Sequence, residues 1–272
     1  MKLGQTFHEF SSWSNAVLFK LAHLAQTEDW DYRDSTSEHS LPILRSYVAY
    51  TFRRAQFQER VLLGTSKDGT KVAAFNTGLL TNHFEQIFSY FVPQTKAEYQ
   101  QDWVLVDFAR ESDYRLMAFQ ELPERATYFD RPEELLYDSN LDLRIQYEHI
   151  VNDNVDRFPV NLRNDERRRV EVVRQAVEHA KFRVQQNYKT AIPQFYWRTR
   201  DAFEPGKVQL LLPLCLHDFG RADLALSVER EGSVYRAATV LTLDMAYNNA
   251  RLIARPDREW LEPMIPNASD LQ

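Results

Sequence analysis

A single cysteine, Cys215, stands among 272 residues, so no disulfide can close within the chain. It lies in the apolar run LLLPLCL, where an inert core residue is expected, and it suits a reducing cytoplasm. Glycine is scarce at seven residues, and none falls into G-x-G-x-x-G or G-x-x-x-x-G-K-[ST], which excludes the Rossmann and P-loop signatures. C-x-x-C, H-E-x-x-H and the G-x-S-x-G elbow are also missing. No stretch approaches the roughly 18 apolar residues of a membrane helix. AVLFKLAHLA is broken by Lys20 and His23, so neither a membrane span nor a secretory signal is expected, and the protein is placed in the cytoplasm. A net charge of −6 argues against coating nucleic acid by bulk positive charge.

What is present is material for a core, with 44% hydrophobic and 13% aromatic residues. Apolar spacing predicts helices over 14–26, from Pro42 onward through Ala55, and over 165–186. RVLLGTSKDGTKVAAFNTGLL predicts a hairpin closed at Asp68-Gly69. Further strands are expected at 87–92, 103–108, 114–119 and 142–148, with a surface loop carrying a short helix at 122–140. The last third reads as strands QFYWRTR, VQLLLPLCL, ADLALSVER and SVYRAATVLTL, the third and fourth joined across Glu231-Gly232. VQLLLPL, nearly continuous in apolar residues, is expected to be buried on both faces. The expected fold is α+β, a mixed, mostly antiparallel sheet covered by amphipathic helices. It forms one domain over 1–272, with a helical part at 1–60, a core at 61–262 and a flexible tail at 263–272.

Three polar clusters adjoin apolar segments. Asn76-Thr77-Gly78 closes the run KVAAF, and the glycine permits a positive φ. Asn187, Tyr188, Lys189 and Gln194 surround an Ile-Pro step. Asp244, read as an N-cap, opens a helix whose arc of Met245, Ala246, Ala250, Leu252 and Ile253 faces inward, with Asn249 in its middle as a hydrogen-bond peg. Tyr247, Asn248 and Arg251 are expected on the outer face. Amide, hydroxyl, ring and cation together suit a nucleotide, yet each group taken alone also has an ordinary use in a turn or cap. Nine basic residues against four acidic ones between Arg157 and Lys189 make either a phosphate-facing patch, a protein-binding helix over 163–183, or a solvated face with Arg167–Glu171 and Arg174–Glu178 pairs. His217-Asp218 is either a fragment of a metal-dependent phosphohydrolase or a loop cap, and Asn152 to Asp156 is either a cation loop or a solvated turn. No metal site and no cofactor are predicted.

The strings FNTGLLT, NYKTAIPQFY, LLLPLCL, ADLALSVER and TVLTLDMAYNNARLIARPDREWL, with LAQTEDWDY and LRSYVAYTFRRA upstream, together resemble a bacterial and phage family catalogued as a domain of unknown function. Members of that family are often appended to RNA-associated modules of the LOTUS (OST-HTH) or cold-shock type. The resemblance implies an RNA context and matches Asn76, Thr77, Asn187, Tyr188, Lys189, Gln194, Asp244, Tyr247, Asn248, Asn249 and Arg251. The expectation drawn is recognition of RNA or a nucleotide, with metal-independent phosphoester processing in which Asp244 is the base and Lys189 and Arg251 meet the phosphate. Asn76, Thr77, Asn187, Tyr188, Gln194, Tyr247 and Asn248 would bind the ligand. The alternative is a non-catalytic interaction protein of a bacterial or phage conflict or RNA-regulation system.

Overall fold

A computed structural model describes residues 6–32, 40–197 and 206–256, and the tail expected at 263–272 lies outside them. The chain forms two compact units, Met1–Thr127 with Trp197–Pro205, and Tyr128–Tyr196 with Gly206–Gln272. Each has its own sheet, so the fold is α+β with two mixed, mostly antiparallel sheets where one was expected. No run rich in Gly, Ser or Pro separates the units, and composition therefore does not mark the boundary.

The first unit contains α1 (Phe7–Phe10), β1 (Ser11–Ser12), α2 (Asn15–Leu24), α3 (Pro42–Phe57), β2 (Leu62–Thr65), β3 (Lys71–Ala74), β4 (Asn76–Leu80), β5 (Gln86–Pro93) and β6 (Trp103–Arg110). Its strands run β1-β6-β5-β3-β2, with β4 also paired to β5. The hairpin forms as expected: Thr65 faces Lys71, and Gly69 takes φ +85 in the turn. Phe10, Phe52, Phe75 and Phe91 are fully buried in a ring cluster, with Phe10 and Phe52 centroids 4.8 Å apart. Residues 114–119, expected as a strand, instead hold a 3₁₀ turn at Tyr114–Ala118. Asp113 decides this, because its carboxylate accepts the Arg115 N–H at 2.9 Å and also grips the Arg115 guanidinium. Those bonds favour the ionised carboxyl and hold its pKa below the usual range.

The second unit contains β7 (Asp142–Ile145), α4 (Tyr147–Asn152), α5 (Val160–Arg163), α6 (Glu166–Gln186), β8 (Ile192–Tyr196), β9 (Lys207–Leu214), β10 (Leu224–Glu231), β11 (Val234–Leu241) and α7 (Leu243–Arg251). The sheet order is β7-β11-β10-β9-β8, antiparallel except for the β7–β11 pair. The strand expected at 142–148 stops at Ile145 because α4 begins at Tyr147. Asp165 caps α6 through the Arg168 N–H, and α6 lays Val173, Ala176, Val177, Ala180 and Val184 against Leu210, Leu212, Leu226 and Val228. Leu210 to Cys215 are all buried, as a strand covered on both faces requires. α7 packs across β8, β10 and β11.

Candidate functional site

The residues singled out in the sequence meet three fates. Asn76 and Thr77 belong to the first unit and are only 1% exposed. Asn76 donates to Gln86 and accepts from the Gly78 N–H, while Thr77 donates to the Ile87 carbonyl and accepts from the Leu79 N–H. They open β4 rather than end a strand, and their polar atoms hold an irregular register against β5. Gly78 has the expected positive φ, +75, and an added Cβ would stand 2.9 Å from the Tyr47 hydroxyl, which donates to Thr77 O. Gly78→Ala is therefore expected to cost about 1–2 kcal/mol in urea unfolding. Gly69→Ala, with φ +85 but open space around it, should cost less.

In the second unit Gln194 is fully buried. Its Oε1 accepts from Asn249 Nδ2 at 3.0 Å, and its Nε2 donates to Ser227 Oγ at 2.8 Å and Gln209 Oε1 at 3.1 Å. Asn249 is thus the peg it was read to be, and Gln194 is its partner. The face assigned to α7 is corrected as well: Tyr247 and Arg251 are buried, Asn248 is half-buried and Met245 is 39% exposed. A tyrosine ring and an arginine stem cover much apolar surface, so the helix turns them inward although their types read as polar. Thr242, not Asp244, caps α7 by accepting the Met245 N–H. Asp244 is exposed in the first turn, where its charge favours the helix dipole. Asn187 accepts the Lys189 N–H at 3.1 Å and so caps the 3₁₀ turn Tyr188–Thr190, leaving Tyr188 and Lys189 at the surface.

The basic helix is largely satisfied by its own surroundings. Arg169 is buried and donates to the carbonyls of Val151, Leu162 and Arg163. Arg167 lies 3.5 Å from Glu171 as expected, but Glu178 pairs with Lys181 and Arg174 instead covers the Tyr147 ring. In the Asn152–Asp156 turn, the buried Asn154 donates to His149 O and accepts from the Thr239 hydroxyl, and Asp153 faces the His149 ring.

The clearest assembly of chemistry lies elsewhere in this unit, in a cleft of 480 Å³ between the segment Arg157–Arg163 and the β9–β10 loop. Arg157, Arg163 and Arg221 line it together with His217, Asp218 and Asp223. Arg157 is anchored by Thr239 Oγ1 and Val240 O, and Arg163 Nε by Phe158 O at 2.7 Å. Asp223 organises the loop: Oδ2 accepts the N–H groups of Leu216 (2.6 Å) and His217 (3.2 Å), and Oδ1 lies 2.9 Å from His217 Nδ1. His217 Nε2 lies 3.0 Å from Asn161 Nδ2 and 3.2 Å from Asn161 Oδ1, so the Asn161 side-chain amide can meet it whether the nitrogen accepts or donates. Asp218, the residue next to His217 in sequence, binds the Gly220 N–H instead. Phe219 stands 64% exposed in the same loop against the His179 ring, 4.4 Å between centroids. Among the described residues no three His, Cys, Asp or Glu side chains gather at metal-ligand spacing. No helix among them is long and apolar enough to cross a membrane.

This cleft was missed because its partners are distant in sequence. The available signal was HDFGRAD, five charged or aromatic residues crowded between two apolar strands.

A family model described as a domain of unknown function (DUF3825) matches residues 21–260. The chain belongs to the DUF3825 family. The match confirms the resemblance to a family of unknown function, and nothing in it links DUF3825 to LOTUS or cold-shock modules. No curated protein and no solved structure matches this DUF3825 chain.

Proposed function

We propose that the second unit recognises a phosphate-bearing ligand, a nucleotide or single-stranded RNA, in the cleft between Arg157–Arg163 and the β9–β10 loop. The observation that carries this reading is the convergence of Arg157, Arg163 and Arg221, from two chain segments, on one concavity. Guanidinium forks match phosphate oxygens in pairs, and a concave site strengthens their field. Phe219 adds an exposed ring in the same loop, the kind of surface on which a base stacks. The two carboxylates of the lining are engaged in loop hydrogen bonds, so they support the loop as well as offset charge.

The test is titration of nucleotides and short single-stranded RNAs, with thermal shift as the first screen. Arg163→Ala and Arg221→Ala are each expected to weaken binding about tenfold, the worth of a charge-assisted hydrogen bond, while the melting temperature stays near that of the parent. Affinity should fall as salt rises. Lys189→Ala, outside the cleft lining, should change it less than about twofold. If Lys189→Ala abolishes binding and the two cleft variants do not, the ligand sits elsewhere.

A further inference from the structure

We propose that His217 is the general base of an RNA transesterification in this cleft, a step that rests on the phosphate reading above and gives its substrate class as RNA with a free 2′-hydroxyl. Three observations lead there. Asp223 Oδ1, 2.9 Å from Nδ1, holds the imidazole in orientation, and Asp223 is itself held by the Leu216 and His217 N–H groups. In the neutral imidazole with its proton on Nδ1 toward Asp223, Nε2 is the nitrogen that accepts; it lies 3.0 Å from Nδ2 and 3.2 Å from Oδ1 of Asn161, an exposed residue that an entering hydroxyl can replace. Three arginines line the same cleft, which is where negative charge on a five-coordinate phosphorus would have to be stabilised.

In the step, His217 Nε2 takes the proton of a ribose 2′-hydroxyl as O2′ attacks the adjacent phosphorus. The O2′–P bond forms, the P–O5′ bond breaks, and O5′ leaves with its electron pair and takes a proton from water. The imidazolium then returns its proton to solvent. The products are a 2′,3′-cyclic phosphate and a 5′-hydroxyl end, with no change of oxidation state and no metal.

The test uses the full chain and three strands of one sequence, RNA, DNA and 2′-O-methyl RNA, in the presence of EDTA. All three should bind, and only the RNA should be cut, with the cyclic phosphate found by mass spectrometry. His217→Ala should slow cleavage at least about 100-fold while the 2′-O-methyl strand binds as before, and added imidazole should restore part of the rate. His217→Gln provides a second variant of closer size and should behave alike. Binding of the 2′-O-methyl strand without cleavage of the RNA, cleavage that survives both His217 variants, or cleavage abolished by EDTA overturns the assignment of the base. Absence of binding to any strand overturns the phosphate reading itself.

Discussion

Replacing Arg169 by alanine is expected to destabilise the second unit by about 3–5 kcal/mol, the largest effect of any single change considered for this chain. The guanidinium is 3% exposed and serves three carbonyls, Val151 O at 2.9 Å and Leu162 O and Arg163 O at 2.8 Å each, with the Phe158 ring beside it. These acceptors lie at the ends of α4 and α5, where helices leave carbonyls without internal partners. Alanine would orphan all three and open a cavity in the same place. Lysine keeps the charge but has no fork, so Arg169→Lys should recover only part of the loss. Urea unfolding measures both. Because two of these carbonyls belong to the segment that walls the cleft, ligand affinity should fall in Arg169→Lys even where the unit remains folded. If Arg169→Ala loses less than about 1 kcal/mol, the buried fork is not what joins these helices.

Gln194→Leu is expected to cost about 2–4 kcal/mol, because the apolar side chain fills a similar volume and removes every hydrogen bond. Asn249, Ser227 and Gln209 would each lose a partner, and the Gln209–Glu229–Lys207 chain that continues to the surface would lose its buried end. Adding Asn249→Leu to Gln194→Leu should then cost less than Asn249→Leu costs the parent, since the amide it removes has already been orphaned. The opposite pattern is informative. If Gln194→Leu left stability intact and abolished nucleotide binding, the side chain would be a ligand contact, as its sequence neighbourhood suggested.

The fold was legible wherever local chemistry decided it. The Asp68-Gly69 turn, the Val173-to-Val184 stripe and the buried run at Leu210 to Cys215 follow from periodicity, and each formed. Residues 114–119 did not, because alternating Tyr114, Leu116 and Ala118 suited a strand until the Asp113 carboxylate turned the backbone. The site was less legible for a different reason. Asn, Gln, Thr and Arg carry the same groups whether they serve a ligand or the fold, and only partners such as Gln86 for Asn76 and Asn249 for Gln194 separate the two. His217 had the reverse problem: its neighbour Asp218 drew attention, whereas its partner Asp223 lies six residues on and Arg157 and Arg163 lie on the far side of α6 in sequence.

The return of the chain to the first unit at Trp197 has a consequence for synthesis. The Trp197 ring lies under the Arg53 guanidinium, 4.2 Å from its centroid, and edge-on to Phe57. On the ribosome, the N-terminal unit must therefore wait for its last aromatic piece until all of Tyr128–Tyr196 has been translated. A nascent chain released at Thr127 would emerge with Arg53 and Phe57 uncovered, so stalling there should yield a protease-sensitive product rather than a finished half.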